Sequence, residues 1–149
     1  VEALAAIAEK AEARLFEDRQ FLDLPTREDA DISEAIGHSA CVLSHDSRAE
    51  AIVCCTRTGY TARLVASHRP ATPIIAVSPS KETVRRMMLI WGVKPVLCDD
   101  FVTLDGMIQM SLEAVRDSGG VTSGSRVVIA GGSPDAGPGY SDFLRVALT

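Results

Sequence analysis

Hydrophobic and polar positions along the chain switch between two periods. Leu4, Ile7, Ala8, Ala11 and Leu15 fall on one helical stripe, which predicts a helix from Val1 to Phe16 docking on something apolar. Residues 17–30 keep no steady period and contain Pro25, so they read as an extended connection. Asp31 and Glu34 have the spacing of a capping box, and Ile36, Ala40, Cys41 and Leu43 carry a second helix that Asp46, Ser47 and Arg48 end. Short apolar runs then take over. Ala51 to Cys55, Pro73 to Val77, Val93 to Leu97, Arg126 to Ala130 and Phe143 to Leu148 read as strands.

Helical spacing returns between these runs. Thr61, Ala62, Leu64 and Val65 begin a helix that closes near His68, Arg69 and Pro70. Ser80, with Thr83 three residues on, caps another whose apolar side is Val84, Met87, Met88 and Ile90, ended by Gly92. Leu104, Ile108, Leu112 and Val115 mark a helix from Thr103 to Ser118, stopped by Gly119 and Gly120. Alternating strands and helices imply right-handed crossovers in a mostly parallel sheet. The last two runs are separated by loop residues alone, which makes them an antiparallel hairpin. The expected fold is α/β, a three-layer sandwich with about five strands, one antiparallel terminal strand and helices on both faces.

A length of 149 residues fits one domain, 1–149, and 46% apolar with 23% charged residues excludes disorder and fibrous classes. The net charge of -5 argues against a general nucleic-acid or anionic-membrane surface, while leaving room for a local basic pocket. No apolar stretch is long enough to span a bilayer, and Glu2, Glu9, Lys10, Glu12 and Arg14 make the first segment a soluble helix and not a signal peptide. Cys41, Cys54, Cys55 and Cys98 include no C-x-x-C pair, and Cys54 and Cys55 point to opposite faces of a strand. They read as buried reduced thiols, which fits a cytoplasmic protein.

The most informative stretch follows the first strand. Thr56, Arg57, Thr58 and Gly59 break the apolar run and lead into a helix N-terminus, where backbone N–H groups and the positive dipole end favour an anion. Thr56, Thr58 and Thr61 add hydroxyls, Arg57 a guanidinium, and Gly59 room for close backbone approach, which is the chemistry of a phosphate site. The same residues also fit an ordinary turn, with threonines capping a helix and Arg57 solvated. The glycine-rich loop Gly131 to Gly139 would lie on the same sheet edge, so that two loops face one crevice. It lacks a P-loop lysine and the spacing of a dinucleotide turn.

Other chemistry-bearing residues point elsewhere. Cys55 precedes a hydroxyl-rich turn, but position 61 is Thr, so C-x5-R fails. His38 and His45 lie on or near the second helix and read as surface or helix-end residues, with His68 at a helix terminus. Met87 and Met88 read as core, Trp91 as packed on the sheet or at a subunit interface, and Asp99 with Asp100 as solvated carboxylates. No nucleophile and base pair is visible, which disfavours an independent hydrolase.

Thr56 to Val65, then His68 to Val77, then Gly92 to Val96 resemble, in order and spacing, the C-terminal domain of pyruvate kinase. Gly124 to Ile129 with its glycine-rich loop and Phe143 to Val146 fit it too, and Val1 to Glu12 is similar to the family's segment just after its catalytic barrel. The resemblance implies part of a larger glycolytic enzyme that transfers phosphoryl from phosphoenolpyruvate to ADP, using magnesium and potassium in the barrel. No cofactor is implied for this chain, and without the barrel it should be inactive as a kinase.

In that family the domain supplies an intersubunit surface of a homotetramer and often an allosteric site for a phosphorylated effector. The matching phosphate loop here is Thr56, Arg57, Thr58, Gly59, Tyr60 and Thr61, closed over by the loop end from Gly139 through Ser141 to Asp142. Fructose bisphosphate-activated members of the kind found in fungi and animals carry an arginine and a tryptophan where this chain aligns Met107 and Asp100, and no Lys or Arg occurs between Lys94 and Arg116. The resemblance therefore favours a monophosphate over fructose bisphosphate. Many bacterial members have Arg or Lys where Tyr60 stands, so Arg57 substitutes for that cation, and Asp142 stands where Asn is common. Two rival expectations are a freestanding phosphometabolite-binding protein of the same fold and a structural module with a vestigial pocket.

Overall fold

The structure is a computed structural model that describes residues 2–17, 31–135, 137 and 139–149, with the side chains of 13–17 outside that description. Its elements run α1 (Glu2–Glu17), α2 (Ile32–Asp46), β1 (Ala51–Cys55), α3 (Tyr60–Ser67), β2 (Ile74–Ser78), α4 (Lys81–Met87), β3 (Val93–Leu97), α5 (Leu104–Asp117), β4 (Arg126–Gly131) and β5 (Phe143–Leu148). Of the expected extended connection over 17–30, Glu17 instead ends α1, and residues 18–30 lie outside the described residues, as does the Leu15 side chain.

The sheet order is β3-β2-β1-β4-β5, parallel except for the β4–β5 pair. From β1 the chain steps outward through β2 to β3, then returns over α5 to pair β4 with the other side of β1. Right-handed crossovers put helices of opposite stepping direction on opposite faces. Accordingly Ala62 and Val65 of α3 and Met87 of α4 pack with Ala40 and Cys41 of α2 on one face, and Met107, Ile108, Leu112 and Val115 of α5 pack on the other. All five residues of β1 are buried, as a central strand covered on both sides requires. Cys54 faces the α2–α3 layer and Cys55 the α5 layer, the alternation a strand imposes.

Capping follows the side-chain chemistry. Asp31 accepts from the Glu34 N–H at 2.8 Å, Ser80 from the Thr83 N–H at 3.2 Å and Thr103 from the Gly106 N–H at 3.1 Å. Two expectations need correction. The second strand is Ile74–Ser78 and not Pro73–Val77, because pairing with β3 continues through Ser78 opposite Leu97. Met88 is 68% exposed and not core: Leu89 N–H donates to the Arg86 carbonyl and Ile90 N–H to Met87, tightened i to i−3 bonds that turn Met88 and Leu89 outward and return Ile90 to the core. On α1, Leu4 and Ile7 are 73% and 64% exposed. Trp91 Nε1–H donates to Glu12 Oε1 at 2.9 Å, and the Arg69 guanidinium lies 4.9 Å from the Trp91 ring centroid.

Candidate functional site

Where successive crossovers leave a sheet in opposite directions, the loops at the strands' carboxyl ends diverge and leave a crevice. Here that point lies between β1 and β4, with Cys55 paired to Gly131 at the mouth. A cavity of about 240 Å³ opens there, lined by the β1–α3 turn, Phe101 from the β3–α5 loop and the β4–β5 loop.

The β1–α3 turn is held by its own hydroxyls. Thr56 N–H donates to the Val77 carbonyl at 3.0 Å, and Thr56 Oγ1 accepts from the Gly59 N–H at 2.9 Å. Gly59 caps α3 with φ +83, a left-handed conformation that favours glycine, and a Cβ there would sit 3.2 Å from Met87 Cγ. Thr83 Oγ1 donates to the Arg57 carbonyl at 2.8 Å and ties the turn to α4. Thr58 Oγ1 lies 3.4 Å from the Tyr60 N–H. The first turn of α3 leaves the N–H groups of Thr61 and Ala62 without intrahelical acceptors, as helix geometry demands.

The β4–β5 loop is built to come close. A Cβ on Gly131 would lie 2.8 Å from the Cys55 carbonyl oxygen, and one on Gly132 only 2.1 Å from that of Tyr140. Asp142 closes the neck, accepting from Ser133 N–H at 2.7 Å and Ser133 Oγ at 2.6 Å. Ser141 is fully buried; its N–H donates to Ser33 Oγ at 3.1 Å and its hydroxyl meets Thr61 Oγ1 at 2.8 Å. Gly139 lines the cavity with φ +81.

The residues singled out in sequence thus converge, with distinct parts. Arg57, Thr58, Tyr60 and Gly139 line the cavity, while Thr56 and Thr61 also line it but are buried and serve the turn and the Ser141 bond. Gly59 shapes the turn; its N–H is already taken by Thr56. Ser141 joins the two loops from beneath. Arg57 is exposed but not unpaired: Nη2 donates to Asp100 Oδ1 at 2.8 Å and to the Phe101 carbonyl at 2.6 Å, with the guanidinium 4.6 Å from the Phe101 ring centroid. The Arg57 bond, and then the Phe101 N–H, hold the Asp100 carboxyl below its ordinary pKa.

Sequence reasoning missed three contributors: Ser33 and Thr83 looked like first-turn helix residues, and Phe101 followed two acidic residues in a loop, while Tyr140 lies within the expected closing segment Gly139 to Asp142 and lines the cavity. Among the described residues no group of three or more His, Cys, Asp or Glu side chains is placed to hold a metal ion. Burial pushes the Cys55 thiol, within the cavity wall, up to about 12, and its hydrogen-bond partner is the Ser111 hydroxyl at 3.0 Å, which is not a base. No helix of the described residues is long and apolar enough to cross a membrane.

Comparison with known proteins matches residues 34–147 to the family described as "Pyruvate kinase, alpha/beta domain". A pyruvate kinase of Clostridium acetobutylicum is 35% identical over 148 residues, covering 99% of this chain and 31% of its own length. Pyruvate kinases of Staphylococcus aureus and Staphylococcus epidermidis are each 30% identical over 148 residues, covering 99% of this chain and 25% of theirs. The chain therefore spans between a quarter and a third of the length of these relatives. The α/β sheet with its single antiparallel terminal pair and the family match over 34–147 agree, and the chain belongs to the pyruvate kinase alpha/beta domain family.

Proposed function

We propose that the chain is a regulatory and oligomer-forming domain of a cytoplasmic pyruvate kinase and that its crevice binds a phosphorylated small-molecule effector. The observation that carries this reading is the convergence of the β1–α3 turn and the β4–β5 loop on one cavity at the carboxyl end of the sheet. A phosphate there would meet the N–H groups of the first turn of α3, the hydroxyl of Thr58 and the guanidinium of Arg57. Pyruvate kinase chemistry, phosphoryl transfer from phosphoenolpyruvate to ADP with magnesium and potassium, belongs in this reading to the family's barrel, and no step of it is assigned to these residues. A homotetramer would use the apolar groups left outside, such as Leu4 and Ile7 on α1 and Leu148 on β5, which is 66% exposed.

Among the described residues Arg57 is the basic side chain that lines the cavity, with Asp100 beside it, which favours a sugar or nucleoside monophosphate over a bisphosphate. The test is thermal unfolding with inorganic phosphate, AMP, glucose 6-phosphate and fructose bisphosphate, alongside Arg57→Ala. A ligand at 100 times its Kd adds about 2.7 kcal/mol, or roughly 5–10 °C for a domain of this size. Stabilisation by a monophosphate that Arg57→Ala abolishes is the expected result. No shift with any of the four would favour the structural module with a vestigial pocket, a reading for which the engagement of Arg57 by Asp100 already speaks.

A further inference from the structure

The cation on which phosphate binding depends already has an anion. Arg57 and Asp100 stand 43 residues apart in sequence, yet Nη2 of the one and Oδ1 of the other are 2.8 Å apart. Both backbones are tied down. Thr83 Oγ1 holds the Arg57 carbonyl at 2.8 Å, and Phe101, only 4% exposed, anchors the Asp100 loop in the α5-side core. The charged ends are not tied down in the same way: the Arg57 side chain is 41% exposed and that of Asp100 72%.

We propose that Asp100 is an internal competitor for the anion site, its carboxylate occupying Arg57 until a phosphate monoester displaces it. This rests on the reading of the crevice as a phosphate site. Exposed ion pairs are weak, because water and salt screen them, so a carboxylate held this way yields to a stronger rival. A phosphate monoester is such a rival, with nearly two charges at neutral pH and oxygens that accept a guanidinium fork bidentately. Among the described residues the hydrogen bonds of Arg57 use Nη2 alone, which leaves donors on Nε and Nη1 where an incoming phosphate can dock before Asp100 lets go. The consequence is selection by charge. Monocarboxylates only replace like with like, dianionic monoesters displace Asp100, and a second anionic group on that side is repelled by it.

The test is calorimetric titration with inorganic phosphate at pH 7.5, using the full chain, Asp100→Asn, Arg57→Ala and the double variant. Asparagine keeps an acceptor for the Phe101 N–H while removing the charge. Asp100→Asn should bind phosphate roughly 1.4- to 5-fold tighter, and that gain should vanish in the Arg57→Ala background. Unchanged or weaker binding by Asp100→Asn, where Arg57→Ala still abolishes binding by the parent, would overturn the competitor and leave the effector site standing. A gain that persists without Arg57 would also overturn it, since Asp100 would then act only by repulsion at a distance. Absence of binding by both the parent chain and Asp100→Asn would remove the effector site and the competitor together.

Discussion

Gly132 shows how little freedom the crevice wall has. A Cβ there would meet the Tyr140 carbonyl oxygen at 2.1 Å, and that oxygen is backbone, not the flexible end of a side chain. Gly132→Ala should therefore cost about 1–3 kcal/mol, measurable as a lower midpoint in urea; an unchanged midpoint would mean that the β4–β5 loop yields freely. The four cysteines make a second residue-scale case. Burial pushes Cys41 and Cys55 up to about 12, and partial burial, then Asp99 and Asp100, push Cys98 up to about 11. Thiolate is scarce in all of them at pH 8, so a thiol reagent should label half-buried Cys98 first and the other three only as fast as the chain opens. Labelling of Cys54 or Cys55 ahead of Cys98 would contradict the burial of β1.

At the scale of elements, the site depends on three segments meeting through hydroxyls. Thr61 on α3 and Ser141 before β5 share a 2.8 Å bond in a buried setting, and Ser33 on α2 receives the Ser141 N–H. Thr61→Val leaves the Ser141 hydroxyl buried without its partner and should destabilise by about 1–3 kcal/mol. Adding Ser141→Ala should restore part of that loss, a non-additivity that a double-mutant cycle reads directly. Strict additivity would show that the two hydroxyls do not interact. Most elements were legible in the sequence: the unbroken run Ala51 to Cys55 is a fully buried strand, and Asp31, Ser80 and Thr103 cap the helices that follow them. The end of α4 was not, because periodicity assumes α-helical bonds throughout and the i to i−3 bonds after Arg86 rotate Met88 into solvent. Pairings such as Arg57 with Asp100 and Ser33 with Ser141 were also hidden, since residues 43 and 108 apart meet only through the strand order, which no local pattern encodes.

For the whole molecule, the reversal of stepping direction about β1 creates the crevice, and buried thiols on α2 and β1 set its alkaline limit. Cys41 and Cys55 have folded values of about 12 against an ordinary 9.0. Above pH 9 the unfolded chain releases protons that the folded chain retains, so this stability is fully present below pH 9 and falls as pH rises toward 12. The unfolding midpoint should drop across that window, and replacing Cys41 by Ala or Ser should flatten the drop; a midpoint constant to pH 11 would contradict the burial of these thiols. The two loops were separately legible in sequence, as a hydroxyl-rich turn and a glycine-rich loop, and their sharing of one edge followed from the expected hairpin. The α1 stripe was legible as apolar, but what it docks on was not, and Leu4 and Ile7 remain outside. The most direct test of the central claim is a titration of the 15N-labelled chain with glucose 6-phosphate, followed by amide chemical shifts. The account predicts saturable shifts concentrated in Thr56–Thr61 and in the loop from Gly132 to Ser141, lost in Arg57→Ala; shifts confined to another surface, or none at millimolar ligand, would contradict it.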